Sequence, residues 1–487
     1  MQDDLLYPLD PQQMHAEANR KQGKNLCDQL FEALRSKIVN KVYPSGSKLA
    51  SIRKLSQSLS LSRDTIIRTY DRLTAYGLIE SHPGMGYFVC AAERMLKPVT
   101  PRSDIQFQQQ EAWKLVLFAD VPASNNYGSS CLPQSWLPEK QLSTALRASL
   151  RHNLRELGNF TEAAGYPPLL EYLCKRFSSN NLSLTREQML LTSGAHEALG
   201  LVTASLFDVG SCVIIEAPSS FMLSTQLMSR GMQIERVPSL QQADVFDKIE
   251  ALCQSRPVSA IYCSSVMGNP MGDTLSPQQT FNLLKLAEKY DFLIIDDHNY
   301  ADFSSRYLDH PVSQLAAMDQ FQRVIQIGGF SKVLTPQLGV GYVAAKKEII
   351  DILLLFKSSQ VLASSMFTEY AVYQLLSSRE YDKSCKRIIH RLADARQHAR
   401  AALQSLGLKV GDGEEGLFLW CYFGEHIDSE QLQQALYQQG YMTAPGKLFF
   451  GSEEGKAYMR FNVTRPYDPK FLKVLQKAMT AATEDSR

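Results

Sequence analysis

Lys332 is the residue around which chemistry can be built. The apolar run Val324-Ile325-Gln326-Ile327 reads as a buried strand. Gly328-Gly329 then lets the backbone turn, and Phe330-Ser331-Lys332 follows. Other apolar runs end in polar residues of complementary kinds. Leu293-Ile294-Ile295 leads into Asp296-Asp297-His298-Asn299-Tyr300, and a strand ending at Ser264 leads into Gly268-Asn269-Pro270. Leu190-Leu191-Thr192-Ser193-Gly194-Ala195 reads as a Ser-Gly turn opening a helix. Residues at the carboxyl ends of strands in a doubly wound sheet share one crevice. A lysine, a carboxylate, an amide, a phenol and a phosphate-type turn in one crevice is the set that pyridoxal 5'-phosphate needs. The lysine is the nucleophile for its aldehyde, and the carboxylate pairs with its ring nitrogen and keeps the ring an electron sink.

The elements that must position these residues follow from the pattern. Strand-like segments at 212–216, 260–264, 292–296, 324–328 and 338–344 alternate with helical stretches. That predicts a mainly parallel sheet with helices on both faces, an α/β domain over residues 130–345. After Glu348 a helical stretch leads into a smaller α+β C-terminal subdomain, residues 346–487. Its helix carries Ile388, Leu392, Ala395, Ala399 and Leu403, and strand-like 417–423 and 459–463 follow. The chain is therefore multidomain.

The N-terminal part carries a different signature. Residues 1–24 are a polar arm. Leu26, Leu30, Leu34 and Ile38 then repeat at helical spacing. Ser51 caps a short helix, Ser60-Leu61 turns, and Ser62 caps a third helix that buries Ile66, Tyr70 and Leu73. Two short strands follow, joined by His82-Pro83-Gly84-Met85-Gly86. Three helices and a hairpin predict a winged helix-turn-helix over residues 25–92. Its recognition helix starts Ser62-Arg63-Asp64-Thr65, and its N-terminal residues face base edges in a major groove. Arg63 suits guanine or phosphate. Arg68 is expected at phosphate. Ser51, Thr65 and the wing-tip glycines Gly84 and Gly86 complete the expected contact set. Residues 93–129 lose periodicity and read as a linker, with Trp113 to Phe118 apolar enough to dock.

Charge supports this division. Residues 25–92 hold nine Lys/Arg against five Asp/Glu, a net of +4, in a chain whose total is +1; the remainder is therefore −3. A basic module on a near-neutral body fits a nucleic-acid reader. Nine cysteines, an odd number without metal or disulfide spacing, point to free thiols in a reducing cytoplasm. The N-terminus shows no signal-peptide pattern, and no apolar run reaches membrane-spanning length.

Residues from about 130 to the end resemble fold-type I aminotransferases, and residues 25–92 resemble a GntR-type winged helix. That order resembles the MocR group of bacterial transcription regulators, which includes the GABA-responsive regulator. The resemblance implies a double-stranded DNA partner, a small-molecule effector and a homodimer. It implies roles at the pocket. Lys332 would be the Schiff-base lysine, Asp297 the partner of the ring nitrogen, and Tyr300 and Asn269 the partners of the ring oxygen. Ser193, Gly194, Ala195 and Ser331 would line the phosphate end, and Arg460 would grip an effector carboxylate. In the DNA reader Arg53 matches the family's motif arginine and would contact DNA, while the family usually has Pro at Ala50 and Asn at Asp64.

Four pocket positions depart from the family. Ser220 stands where an aromatic side chain usually stacks on the ring, and Gly329 where a hydroxyl residue is usual. Gly339 stands where an arginine usually binds phosphate, and Phe160 where a partner subunit usually lends a tyrosine. The expectation is a regulator that senses pyridoxal phosphate, or an amine or amino acid through it, with weak cofactor binding. The rival expectations are a working aminotransferase with an accessory DNA domain, and a regulator whose inactive pocket only dimerises.

Overall fold

The computed structural model describes residues 26–39, 42–90, 120–153, 159, 161–178, 182–309 and 314–484. They fall into two compact units divided at residue 104. The N-terminal arm, Trp113 to Phe118 and Phe160 lie outside the described residues.

In the first unit, α1 (Leu26–Val39) buries Leu30, Phe31, Leu34 and Ile38. Serines cap α2 (Ile52–Leu59) and α3 (Arg63–Ala75). Ser51 Oγ accepts from Lys54 N at 3.3 Å, and Ser62 Oγ from Thr65 N at 3.1 Å. Each cap satisfies an amide that a helix start leaves unpaired, and contributes about 1 kcal/mol. Ser60, in the left-handed region at φ 53, ends α2 and sets the turn. Ile66, Tyr70 and Leu73 face the core, and Tyr70 OH donates to Ala50 O at 2.8 Å. β1 (Ile79–His82) and β2 (Gly86–Val89) pair antiparallel, and Lys48 bridges to Phe88. This is the expected winged helix-turn-helix.

The second unit is built on a seven-stranded sheet. Its strands are β3 (Met189–Thr192), β4 (Cys212–Ala217), β5 (Gln233–Pro238), β6 (Ala260–Cys263), β7 (Leu293–Asp297), β8 (Val324–Gly329) and β9 (Gly341–Ala344), in the order β3-β9-β8-β7-β6-β4-β5. β9 runs antiparallel to both its neighbours; the other pairings are parallel. Helices α4 (Ala195–Leu206), α5 (Pro277–Tyr290) and α6 (Lys347–Gln360) cover it, α4 and α6 on one face and α5 on the other. With both faces covered, the strands are almost continuously apolar. In β4, Val213 and Ile215 pack under α4, while Cys212 and Ile214 pack on the opposite side. β5 escaped the sequence pattern. It is an edge strand whose Ile234, Glu235 and Arg236 are only partly buried, so it carries no apolar run.

The C-terminal subdomain follows α7 (Glu380–Gln404), which buries Tyr381, Ile388, Leu392, Ala399 and Leu403. Four antiparallel strands, β10 (Lys409–Val410), β11 (Phe418–Tyr422), β12 (Ala444–Pro445) and β13 (Tyr458–Asn462), pair in the order β10-β11-β13-β12. Residues 126–131, at the edge of the expected linker, are fastened here. Tyr127 N donates to Met442 O at 2.7 Å, and its ring stacks on Phe471 with centroids 3.8 Å apart. Asn462 Nδ2 donates to Ser129 O at 2.9 Å and to Cys131 O at 3.0 Å. That grip brings Ser130 to the sheet's crevice. All nine cysteines are free of disulfides. Among the described residues no helix is long and apolar enough to cross a membrane.

Candidate functional site: a lysine cavity and a DNA-reading helix

A cavity of about 370 Å³ opens at the carboxyl ends of β4, β6, β7 and β8. Its walls include Lys332, Asp297, Tyr300, Asn269, Arg460 and Ala195, so residues from five separate segments meet as expected. Ser193, Gly194 and Ser331 lie next to these in sequence but do not line it. Lys332 Nζ donates to Ser130 Oγ at 3.1 Å and sits 5.1 Å from the centroid of the Tyr300 ring.

Strand alternation decides which of two adjacent carboxylates serves the cavity. Side chains alternate across a strand, so Asp297 shares the face of Ile295, and Asp296 that of Ile294. Asp297 lines the cavity; Tyr262 OH donates to Asp297 Oδ2, and Asn299 N donates to Oδ1 at 2.8 Å. Burial raises the Asp297 pKa, partly offset by these bonds. Among the described residues it has no ion-pair partner, and a protonated ring nitrogen would supply one. Asp296 is structural. Burial would raise its pKa, but the bonds from His298 at 2.9 Å and from Ser265 N and Oγ at 2.9 and 2.8 Å overcome it and lower it.

Arg460 is held by β13 inside the cavity wall, 1% exposed. Its Nη1 donates to Asn269 Oδ1 at 2.7 Å and its Nη2 to Gly128 O at 2.6 Å, while Phe418 lies 3.9 Å from its guanidinium carbon. Burial lowers its pKa to about 10, so it stays charged at neutral pH. Its Nε is buried and has no partner. A buried unpaired donor is costly, and a ligand carboxylate would satisfy it. The Asn269 oxygen is taken by Arg460, which leaves its amide N–H groups for a ring oxygen.

The residues present fit the ring end of pyridoxal phosphate. The phosphate end fits poorly. Among the described residues lining the cavity, Lys332 and Arg460 are the cations. His196, which also lines it, has its pKa lowered by burial and by Lys332. Ser193 N–H, in the phosphate-type turn, is engaged by the Glu197 carboxylate of its own helix. A Cβ at Gly329 would lie 3.2 Å from Val340 O, so the backbone has closed over the place of the usual hydroxyl. Gly339 has φ +54, with Ser193 O 3.6 Å from where its Cβ would stand.

The sequence did not single out Ser130, His196, Tyr262, Glu216 or Asp273, all cavity-lining. Tyr262 had a usable signal: it shares the parity of Asp297 on a neighbouring strand. The others are ordinary polar residues whose meeting depends on the tertiary fold.

On the DNA reader, Ser51, Arg53, Ser62, Arg63 and Arg68 are exposed, and Thr65 is half-buried. Ser62 Oγ and Thr65 Oγ1 lie 2.8 Å apart. Gly84 and Gly86, both at positive φ, flank Met85, which is 60% exposed at the wing tip. Arg68 pairs with Asp64 at 3.0 Å, with side-chain exposures of 72% and 69%. That pair offsets the charge of Asp64 on the exposed face of α3. An exposed pair contributes about 0–1 kcal/mol, so a phosphate can draw Arg68 away.

A winged helix-turn-helix joined to an aminotransferase-like cavity defines a DNA-binding transcription regulator of MocR-type architecture. The chain belongs to the family Aminotransferase class I and II, which matches residues 123–471, and residues 26–89 match Bacterial regulatory proteins, gntR family. It is similar to the HTH-type transcriptional regulator YdcR of Escherichia coli, 27% identical over 89% of this chain and 94% of that one. The HTH-type transcriptional regulator NorG of Staphylococcus aureus is 24% identical over 85% and 95%. Among solved structures, an archaeal alanine:glyoxylate aminotransferase superposes with a TM-score of 0.68 at 26% identity, over 77% of this chain and 94% of that one. The class I and II aminotransferase fold implies pyridoxal phosphate binding.

Proposed function

We propose that this regulator acts in the cytoplasm as a homodimer whose DNA affinity answers to a ligand at Lys332. That ligand is pyridoxal phosphate itself, or an amine or amino acid held through it. The observation that carries the reading is the single cavity on which Lys332, Asp297, Tyr300, Asn269 and Arg460 converge. Pyridoxal phosphate, when bound, supplies an electron-withdrawing ring and an aldehyde that takes up amines. Asp297 holds the ring-nitrogen proton, Asn269 and Tyr300 donate to the ring oxygen, and Arg460 orients an effector carboxylate. Lys332 would be the amine that holds the cofactor's aldehyde.

Cofactor binding is weak and reversible under this reading. A dianionic phosphate calls for charge-assisted donors, and the described cavity offers none where Gly329 and Gly339 stand. One such contact contributes about 1.5–3 kcal/mol, so its loss weakens binding by roughly ten- to a hundredfold. Occupancy then follows free cofactor, as a sensor requires. Arg460, with its unpaired Nε, favours a second reading, a working aminotransferase.

Borohydride reduction of the full chain with pyridoxal phosphate, followed by peptide mass analysis, is the test. The expected result is a pyridoxyl mass on Lys332, absent from Lys332→Ala, whose DNA binding persists. An unchanged adduct in Lys332→Ala, or none in the wild type, would overturn the assignment. Amino-acid-dependent keto-acid release over many turnovers would favour the enzyme reading.

A further inference from the structure

Where the resemblance places a ring-stacking aromatic, Ser220 presents a small side chain, and the cavity wall also includes a mainly polar group of residues, Glu216, Ser219, Ser239, Gln241, Asp273 and Leu275. Two of these are carboxylates. Glu216, at the end of β4, accepts from Leu240 N at 2.9 Å. Asp273 stands in the loop after Asn269 and is close enough for its charge to act on Glu216. Among the described residues neither has an ion-pair partner, although surface carboxylates elsewhere on the chain commonly do, as Asp428 with Lys447 at 3.0 Å. Glu216 is partly buried and lines this chamber. Burial and the neighbouring Asp273 push its pKa up to about 7, and burial also raises that of Asp273. Two like charges in a poorly solvated chamber repel, and a cation between them relieves both.

A second observation is independent of charge. Ser219 is 9% exposed, lines the same chamber, and its Oγ has no hydrogen-bond partner. Buried hydroxyls are ordinarily satisfied by protein or ligand. The Gln241 amide donates to Thr274 O at 3.3 Å and accepts from Gln279 Nε2 at 3.2 Å, and makes no bond to Ser219. The chamber thus holds two carboxylates and a free hydroxyl acceptor, all suited to an ammonium group, which carries three donors.

We propose that Glu216, Asp273 and Ser219 form a subsite for a second, protonated amine, so that the effector is a small diamino acid. Its carboxylate goes to Arg460 and its distal ammonium to the acidic chamber. A plain monoamino acid would leave both carboxylates without a cation. A dicarboxylic amino acid would place a third negative charge beside them and is excluded. This rests on the reading of the cavity as the effector site.

The test compares L-ornithine with L-norvaline, which has the same carbon chain and no second amine. Binding to the full-length protein, loaded with pyridoxal phosphate, is followed by calorimetry. Ornithine is expected to bind at least about tenfold more tightly, the scale of one charge-assisted contact. Glu216→Gln and Asp273→Asn should each bring that ratio toward one. Glu216→Gln keeps an oxygen for Leu240 N; if it fails to fold, Asp273→Asn decides alone. Equal affinity for the two amino acids, a ratio unchanged in the folded variants, or no binding of ornithine would overturn the subsite. Failure of the underlying reading would show separately, as the absence of a borohydride-fixed adduct on Lys332.

Discussion

Single substitutions test both ends of the proposed function. At the DNA face, Arg63 is exposed and lies in the first turn of α3. Arg63→Ala is expected to weaken binding to a specific operator by about 1–3 kcal/mol if its fork spans a guanine. Fluorescence anisotropy on operator and random duplexes checks this, and equal losses on both would reduce Arg63 to a phosphate contact. At the other end, Gly339→Arg tests the stripped phosphate cup. The backbone there has φ +54, a left-handed conformation that costs a side-chain-bearing residue about 1–2 kcal/mol. That strain is present with and without ligand, so it lowers stability rather than affinity. The variant should melt earlier yet bind pyridoxal phosphate roughly ten- to a hundredfold more tightly. Submicromolar binding by the wild type, with no gain in a folded Gly339→Arg protein, would mean that another cation already fills the cup.

The elements explain which residues the sequence revealed. Lys332, Asp297 and Asn269 each follow an apolar strand that is buried on both faces, so the strand's end announces them. Ser130 reaches the cavity because Asn462 and Tyr127 tie residues 126–131 to the C-terminal sheet, a contact across more than three hundred residues. No local pattern encodes that. The edge strand β5 was illegible because exposure had replaced its apolar run with Gln233, Glu235 and Arg236. Helix packing also hides a titrating group. Glu369, on the helix Met366–Ser377, is 1% exposed; its Oε2 accepts from Tyr166 N at 2.7 Å and its Oε1 has no partner. Burial raises its pKa to about 7, only partly offset by the Tyr166 bond and by Lys357, whose own pKa burial lowers. Glu197 and Ser364 complete its surroundings. The folded state therefore holds the Glu369 proton more strongly than the unfolded chain does. Its stabilising contribution is full below pH 4.5 and is lost as pH rises through about 7. Thermal melts between pH 6 and 8.5 should fall less steeply for Glu369→Gln than for the wild type. Identical slopes would remove Glu369 from the account.

For the whole molecule, the unequal charge reading and the capped helices were enough to separate a DNA reader from an α/β body. The cavity's ligand and the operator must be linked by reciprocal coupling, if this is a sensor. The most direct measurement is anisotropy of the full chain on an operator selected from a random duplex pool, titrated with pyridoxal phosphate. The account predicts that cofactor shifts the wild-type affinity several-fold and leaves Lys332→Ala unmoved at its basal value. A wild-type affinity indifferent to cofactor, or an equal shift in Lys332→Ala, would contradict it.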